Sequence, residues 1–396
     1  MARFANGKAP FLRTSDAKNS GTGVIMRDFM IGLLPVILFA WYKNGIKVFV
    51  EGNITFLEML YPLIFILLGG ILSTLFEGLY FYITDKNVRN FKALGEKLKV
   101  SYAVIPGLLL AMVVPLYTPI WVLMFGAFMG TIVGKMLFGG FGNNIFNPAL
   151  LGYVAIGFTM LGVIGNAGGV FNASEVLIDA YGGATPLGTL AGTKMIDYET
   201  LVAPYGSLWN FLLGTIPGAL AETGSLAIII AYIWLSVRKV IKWFTPLVYI
   251  GTVFILSWFI GMAAGDAGIW FPVYSILSGG LMFGAVFMAT EPVTTPRNPL
   301  GKVVFALFLG ALTVLFRYIG NLPEGVGTAI IVMNIFTLPI DKMTAIIRAQ
   351  GIKKTTIVSA LGLAAFLLIL MVYAIIKAGN VYSTFITFVP FIKGVF

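Results

Sequence analysis

The chain has 396 residues, 59% of them hydrophobic and only 11% charged, with 26 Lys and Arg against 16 Asp and Glu. That balance excludes an ordinary soluble domain and points to an all-α polytopic membrane protein, in which a net charge of +10 sets topology and does not signal nucleic-acid binding. Cys and His are both absent, which excludes cysteine-bound iron–sulfur clusters, histidine-ligated haem, disulfides and Ser-His-Asp catalysis by this chain's own residues.

Residues 1–25 have no apolar core before residue 24, so they are expected to form a cytoplasmic tail and not a cleavable signal peptide. Apolar runs of about twenty residues, each able to cross ~30 Å of hydrocarbon, then predict spans near 26–49, 57–84, 102–116, 118–138 and 149–166. A second series follows at 223–241, 245–264, 271–289, 303–320, 324–341 and 355–378. The run 207–219 is short and broken by Gly214 and Pro217, and reads as a re-entrant or interfacial helix.

Basic residues fix the orientation. The tail, the loop with Lys86, Arg89, Lys92, Lys97 and Lys99, the cluster Arg238, Lys239, Lys242, and the later Lys342, Arg348, Lys353, Lys354 are all expected in the cytoplasm. They agree on one threading when 207–219 does not cross, which puts 167–205 outside; Lys43 and Lys47 dissent.

Two polar, Gly/Pro-interrupted segments stand out, Gly134 to Ala149 and Ala289 to Lys302. They read as partners in an inverted internal duplication, with Asn143 and Asn144 facing Thr294, Thr295 and Asn298 in one site near the midplane, since such groups need partners at membrane depth. Three ionisable residues lie in or beside spans: Glu77, Glu222 and Arg317. Glu222 opens a helix and reads either as a cap or as a site residue; Arg317 reads either as an ion-pair partner of Glu324 or as a ligand contact.

Between the two series lies Asp179-Ala-Tyr-Gly-Gly-Ala-Thr185-Pro-Leu-Gly-Thr-Leu190. Glycines before Thr185 let another backbone approach, and Pro186 fixes the bend just after it, so the hydroxyl is presented for modification or simply closes a surface turn. If electrons pass through this chain an organic cofactor must carry them, and a flavin needs no soft ligand.

Taken together, Met26 to Pro35, Val104 to Pro115, Phe138-Gly-Gly-Phe-Gly-Asn-Asn-Ile-Phe-Asn-Pro-Ala149, Arg317 to Gly325 and Met333-Asn334 resemble a known family up to about residue 345. It is the D subunit of Rnf-type ferredoxin:NAD+ oxidoreductases, with its relative, the B subunit of the Na+-translocating NADH:quinone oxidoreductase. The resemblance implies that a flavin transferase joins FMN by a phosphoester to Thr185, within a motif formed here by Asp179, Gly183 and Ala184; Ala180 and Gly182 depart from its usual residues. It further implies ten core helices as two inverted five-helix repeats, similar to urea and ammonium channels. These would be residues 26–166 and 223–345, around an external segment 167–222, with a basic linker and extra helix in 346–396. The implied setting is the bacterial cytoplasmic membrane, with iron–sulfur subunits and a second covalent-FMN subunit as partners and a non-covalent riboflavin as a further cofactor without a position in the sequence. The implied function is an FMN relay within an ion-translocating complex. The alternatives are the quinone-reductase subunit, whose N-terminal region is usually longer, and a passive urea-type channel, which needs no modifiable threonine.

Overall fold

The computed structural model describes residues 21–86, 88, 90–166, 185–266, 268–319, 325–350, 362 and 364–377. All regular structure among them is helical. Five helices are long and apolar enough to cross a bilayer, and a sixth crossing is made if the bent pair at 270–288 counts as one span.

The first span is α1 (Thr22–Trp41), which passes through a π-helical turn (Tyr42–Ile46) into α2 (Lys47–Val50). Next comes α3 (Phe56–Thr84), opened by a capping box between Thr55 and Glu58, then a short helix not foreseen as one, α4 (Phe91–Ser101). The expected span 102–116 is helical only over α5 (Val104–Val113), and a turn closed by the Thr118 amide on the Pro115 carbonyl separates it from α6 (Ile120–Phe128). A π-helical stretch, Met129–Met136, continues α6. Asn147 then caps α7 (Pro148–Thr159), followed by α8 (Leu161–Asn166).

The segment after residue 184 carries α9 (Pro186–Thr193), α10 (Tyr198–Leu201) and α11 (Leu208–Leu213). At six residues α11 does not cross, as its Gly and Pro breaks indicated. The second series is α12 (Ser225–Val237), α13 (Phe244–Ala263), α14 (Trp270–Leu277), α15 (Leu281–Phe283) with a π turn Gly284–Met288, α16 (Pro299–Tyr318) and α17 (Val326–Gln350). The helices at 270–277 and 281–288 meet at a bend of 65°, where Gly279 has φ +63, a left-handed conformation that glycine adopts without strain. A last helix, α18 (Ala364–Lys377), lies against α16 through Phe366 and Phe308.

Lipid offers no hydrophobic drive between helices, so they join through close approach and polar ties. Gly69 of α3 and Gly107 of α5 face each other so tightly that a Cβ on Gly107 would lie 2.0 Å from the Gly69 carbonyl. Polar ties gather one set of helix ends. Asp28 accepts from Arg238 Nε at 2.8 Å and binds its Nη2 at 2.7 Å, while Trp234 donates to the Asp28 carbonyl, joining α1 to α12. Lys135 joins Glu77 at 2.7 Å, and Asp341 of α17 accepts from the Arg297 amide at 2.8 Å. The ends of α1, α3, α4, α12 and α17 that bear the basic clusters thus lie at one end of the bundle.

The two interrupted segments were expected to be partners in an inverted duplication that meet in one site; in the structure they touch, Asn144 of the first donating to Glu291 of the second. Their junction is tied to Asn334 and Thr337, well inside the span Val326–Ile347, and borders a cavity that Met26, Phe29 and Ile105 also line. Lys43 also changes role: it is 3% exposed and points into the protein, so it is no loop charge and no dissent from the threading.

Candidate functional site

Thr185 caps α9. Its extended backbone (φ −62, ψ 150) turns Oγ1 onto the Gly188 amide, which donates to it at 3.1 Å, and Pro186 occupies the first helical position where no amide is needed. Leu187 and Leu190 are buried, and Tyr274 Oη donates to the Pro186 carbonyl at 2.5 Å, fastening α9 onto α14. Tyr274 belongs to an aromatic cluster, stacked on Phe271 at 6.2 Å and packed against Phe211 at 5.4 Å. The hydroxyl therefore stands on a firmly held turn, half-buried, at the positive end of a helix. Asp179, Gly183, Ala184 and Glu324 lie outside the described residues.

Arg317 of α16 comes close to this turn from below. A Cβ on Gly279 would lie 2.6 Å from Leu187 and 3.8 Å from Arg317 Nη2, so a single residue separates the guanidinium from α9. Arg317 is 3% exposed and donates to the carbonyls of Ser275 at 2.6 Å and Ser278 at 3.4 Å, while its Nε has no partner among the described residues. It therefore ties down the broken α14–α15 pair and keeps a donor in reserve.

Glu222 does not cap α12; Gly224 does. The carboxylate turns back into its own loop, accepting from the Ala219 amide at 3.2 Å, and its other oxygen lies against Gly280, where a Cβ would be 2.8 Å away. The cap reading fails because a short Gly-rich run before a helix looks the same whether its acid caps the helix or folds inward.

At the basic end, Asn144 donates to Glu291 at 3.3 Å and to the Phe146 carbonyl at 3.0 Å. Thr294 donates to the other Glu291 oxygen at 2.9 Å, and Thr295 donates to the Glu291 carbonyl while accepting from Lys302 at 3.2 Å. Asn143 does not join them: it is exposed and bonds its own turn at the Gly139 carbonyl. Asn298 contributes its backbone, as the start of α16, through an amide that reaches Asp341 at 3.3 Å. The residues that sequence reasoning left unassigned are Asn147, Asn334 and Glu291. Asn147 donates its amide hydrogen to Asn334 at 3.0 Å, and Asn334 in turn donates to the Thr294 carbonyl at 3.2 Å. The Asn-Pro step that opens α7 was a usable signal for Asn147; nothing local distinguished Asn334.

Lys135, Asn144, Asn147 and Glu291 line a cavity of about 60 Å³. It has room for about two waters at ~30 Å³ each. Beside it, sharing Tyr102, Phe141 and Val293, lies a larger one of about 550 Å³ that Lys97 and Phe81 also line. That volume falls within the ~300–1,000 Å³ of small-molecule pockets. Among the described residues no cluster of His, Cys, Asp and Glu is arranged to hold a metal ion.

Comparison with known proteins places this geometry in context. A model of the NQR2, RnfD, RnfE family matches residues 7–350. The chain is 39% identical over 347 residues to the D subunit of the proton-translocating ferredoxin:NAD(+) oxidoreductase complex of Clostridium ljungdahlii, covering 86% of this chain and 94% of that one. It is 31% identical over 356 residues to the D subunit of the ion-translocating oxidoreductase complex of Actinobacillus succinogenes, at 82% and 92% coverage. To the B subunit of the Na(+)-translocating NADH-quinone reductase of Chromohalobacter salexigens it is 34% identical over 241 residues, covering 60% and 56%. The chain therefore belongs to the NQR2, RnfD, RnfE family.

Proposed function

We propose that this chain is the membrane subunit of an ion-translocating ferredoxin:NAD+ oxidoreductase, that it carries FMN through a phosphoester on Thr185, and that it shares in Na+ or H+ transport. The observation that carries the reading is the placement of Thr185 Oγ1 on the amide of Gly188 at the start of α9. A phosphoester there keeps an oxygen for that amide and sets its negative charge against the helix N-terminus, worth ~0.3–1 kcal/mol and more when partly buried. Gly188 leaves open the side where a Cβ would come within 3.1 Å of Oγ1, and the buried Arg317 supplies positive charge nearby. The flavin, when attached, supplies electron transfer; the chain's part is to hold its phosphate end still, close to the broken α14–α15 pair.

The similarity to the D subunits spans nearly the whole of both chains, and that to the quinone-reductase subunit about half of the relative, which favours the first reading over the second. A passive channel has no use for a presented hydroxyl. Electrons must enter and leave through other chains, because no Cys or His occurs in this one; iron–sulfur subunits, a second covalent-FMN subunit and a flavin transferase are the partners this requires. A non-covalent riboflavin would find its space in the larger cavity, against Tyr102 and Phe141, which pack on each other in its wall with centroids 5.1 Å apart. The ten-helix core of two inverted repeats is part of the same proposal, supported by the matching half-length helices α5 and α14, each stopped by a non-helical break.

In this reading the basic end faces the cytoplasm of a bacterium and α9 faces outward. Gly192→Cys is expected to react with a membrane-impermeant thiol reagent on intact cells and Asn90→Cys only after lysis, and the absence of native Cys leaves no background. Labelling of both from one side would break the threading.

The ion route is placed at the Asn144–Glu291 junction. Asn144→Leu takes a donor from Glu291, and Thr295→Val takes an acceptor from Lys302. A stranded polar group costs ~1–3 kcal/mol, so each variant is expected to lower ion uptake coupled to ferredoxin-dependent NAD+ reduction by roughly tenfold in proteoliposomes of the complete complex. The covalent flavin stays in place, since α9 lies at the other end. Full coupled activity in both would reduce these segments to helix-ending turns.

A further inference from the structure

Lys43 stands in the run Ala40-Trp-Tyr-Lys-Asn-Gly-Ile46, deep in the first span, where an ammonium is tolerated only with compensation. The π turn at Tyr42–Ile46 swings Lys43 and Asn44 inward, to 3% and 7% exposure. They meet the loop 214–224, a stretch of irregular backbone that tertiary structure buries: Ile216, Leu220, Ala221, Glu222 and Thr223 are each 2% exposed or less. The Leu220 and Ala221 amides are satisfied by the Val114 and Met112 carbonyls, at the break that ends α5. The break between α14 and α15 closes the other side, through Gly280 against Glu222. Three interruptions of helical structure thus cross at one place inside the bundle. Irregular backbone at that depth occurs where it is enclosed by protein or lines a path, and such crossings are where transporters place their cation sites.

What meets there is a set of oxygens. Lys43 Nζ donates to the Ile216 carbonyl at 2.5 Å and to Thr223 Oγ1 at 2.7 Å, and the buried carboxylate of Glu222 is next to Thr223 in the same loop. Asn44 Nδ2 holds the loop by donating to the Leu220 carbonyl at 3.2 Å. Backbone carbonyl, hydroxyl and carboxylate without nitrogen or sulfur is the donor class of a hard cation. Two further hydroxyls stand on the same segments: Thr118 Oγ1, on the α5–α6 break, and Ser225 Oγ, just past Thr223, are 0% and 1% exposed and have no hydrogen-bond partner among the described residues. More oxygen ligands stand on these segments than the ammonium uses.

We propose that this crossing is a monovalent-cation site filled by a cation the chain supplies itself, the Lys43 ammonium, which keeps free Na+ from occupying or passing that point. The proposal does not depend on flavin attachment. Removing the ammonium leaves a cage of acceptors with a net negative charge from Glu222, and a small free cation restores the balance.

The test uses the complete complex in detergent and in proteoliposomes. The shift of the wild-type unfolding temperature between NaCl and choline chloride of equal ionic strength is the reference against which each variant's shift is read. Lys43→Ala is expected to unfold earlier in choline and to recover by at least about 2 °C in Na+ or methylammonium, as a ligand that binds only the folded state requires. It is also expected to leak Na+ from proteoliposomes in the absence of electron donor. Lys43→Gln keeps an amide donor for the Ile216 carbonyl but no charge; it separates a cation site from a mere tether and decides the matter if Lys43→Ala does not accumulate. Na+-dependent stability or leak in Lys43→Gln, abolished by adding Glu222→Gln, supports the proposal. Equal stability of the variants in all three salts, with vesicles as tight as wild type, overturns it and leaves Lys43 a tether.

Discussion

The Thr185→Ala complex is expected to show no fluorescence in this subunit's band after denaturing electrophoresis, where wild type from a host with flavin transferase fluoresces, and its coupled electron transfer falls to background. A phosphoester needs the hydroxyl, and no other group on the turn replaces it. The variant also loses the bond between Oγ1 and the Gly188 amide, a cap worth ~1 kcal/mol. That loss does not unfold α9, because Leu187, Leu190 and the Tyr274 hydrogen bond still hold it. Thr185→Ser keeps both cap and acceptor, so it retains part of the flavin and part of the activity. The nearest other hydroxyl, Thr189, points back to the Thr185 carbonyl at 3.4 Å; a band that still fluoresces in Thr185→Ala would move the attachment there.

Lys135→Met is expected to cost about 3–5 kcal/mol, the effect of stranding one partner of a buried ion pair. Lys135 and Glu77 have side chains 3% and 0% exposed. Besides its 2.7 Å contact with Glu77, the ammonium donates to the Ser101 carbonyl at 2.8 Å, and the Ser101 hydroxyl donates to Glu77, so three helical segments lose their junction together. Against a typical stability of 5–15 kcal/mol, this lowers accumulation in membranes several-fold. The double variant Glu77→Met, Lys135→Met removes both charges, and apolar replacements of a buried pair are commonly neutral or stabilising. It is expected to accumulate near the wild-type level. Equal accumulation of single and double variants would show that the pair is not what holds α3 to the α6 π stretch.

Lipid explains why most spans were legible. A segment in hydrocarbon must be apolar along its whole length, so composition alone located 26–49 as 22–50 and 245–264 as Phe244–Ala263. The short helix within 102–116 was harder, since Pro115 and Pro119 mark a break without saying that the chain turns there inside the bundle. What hydropathy does not encode is direction. Lys43 and Lys135 face inward because π turns rotate the helix face, and a π turn has no composition signature. Asn143 and Asn144 are neighbours in sequence, yet one is exposed and one buried, a choice made by the left-handed backbone at Gly139, Gly140 and Gly142. The pairing of 134–149 with 289–302 was legible as a contact, through Asn144 and Glu291, because both segments carry polar groups that need partners inside the bundle. At Thr185 the local signal, a threonine before proline, was read as a bend; that the bend opens a helix needed the structure.

The central claim is that Thr185 carries FMN, and mass spectrometry of the proteolytic peptide containing it, released from the active complex, addresses that most directly. The expected peptide has the mass of the unmodified sequence plus FMN less one water, with fragmentation placing the addition on Thr185 and the flavin lost on hydrolysis of the ester. An unmodified Thr185 peptide, recovered quantitatively from a complex with full coupled activity, would contradict the account.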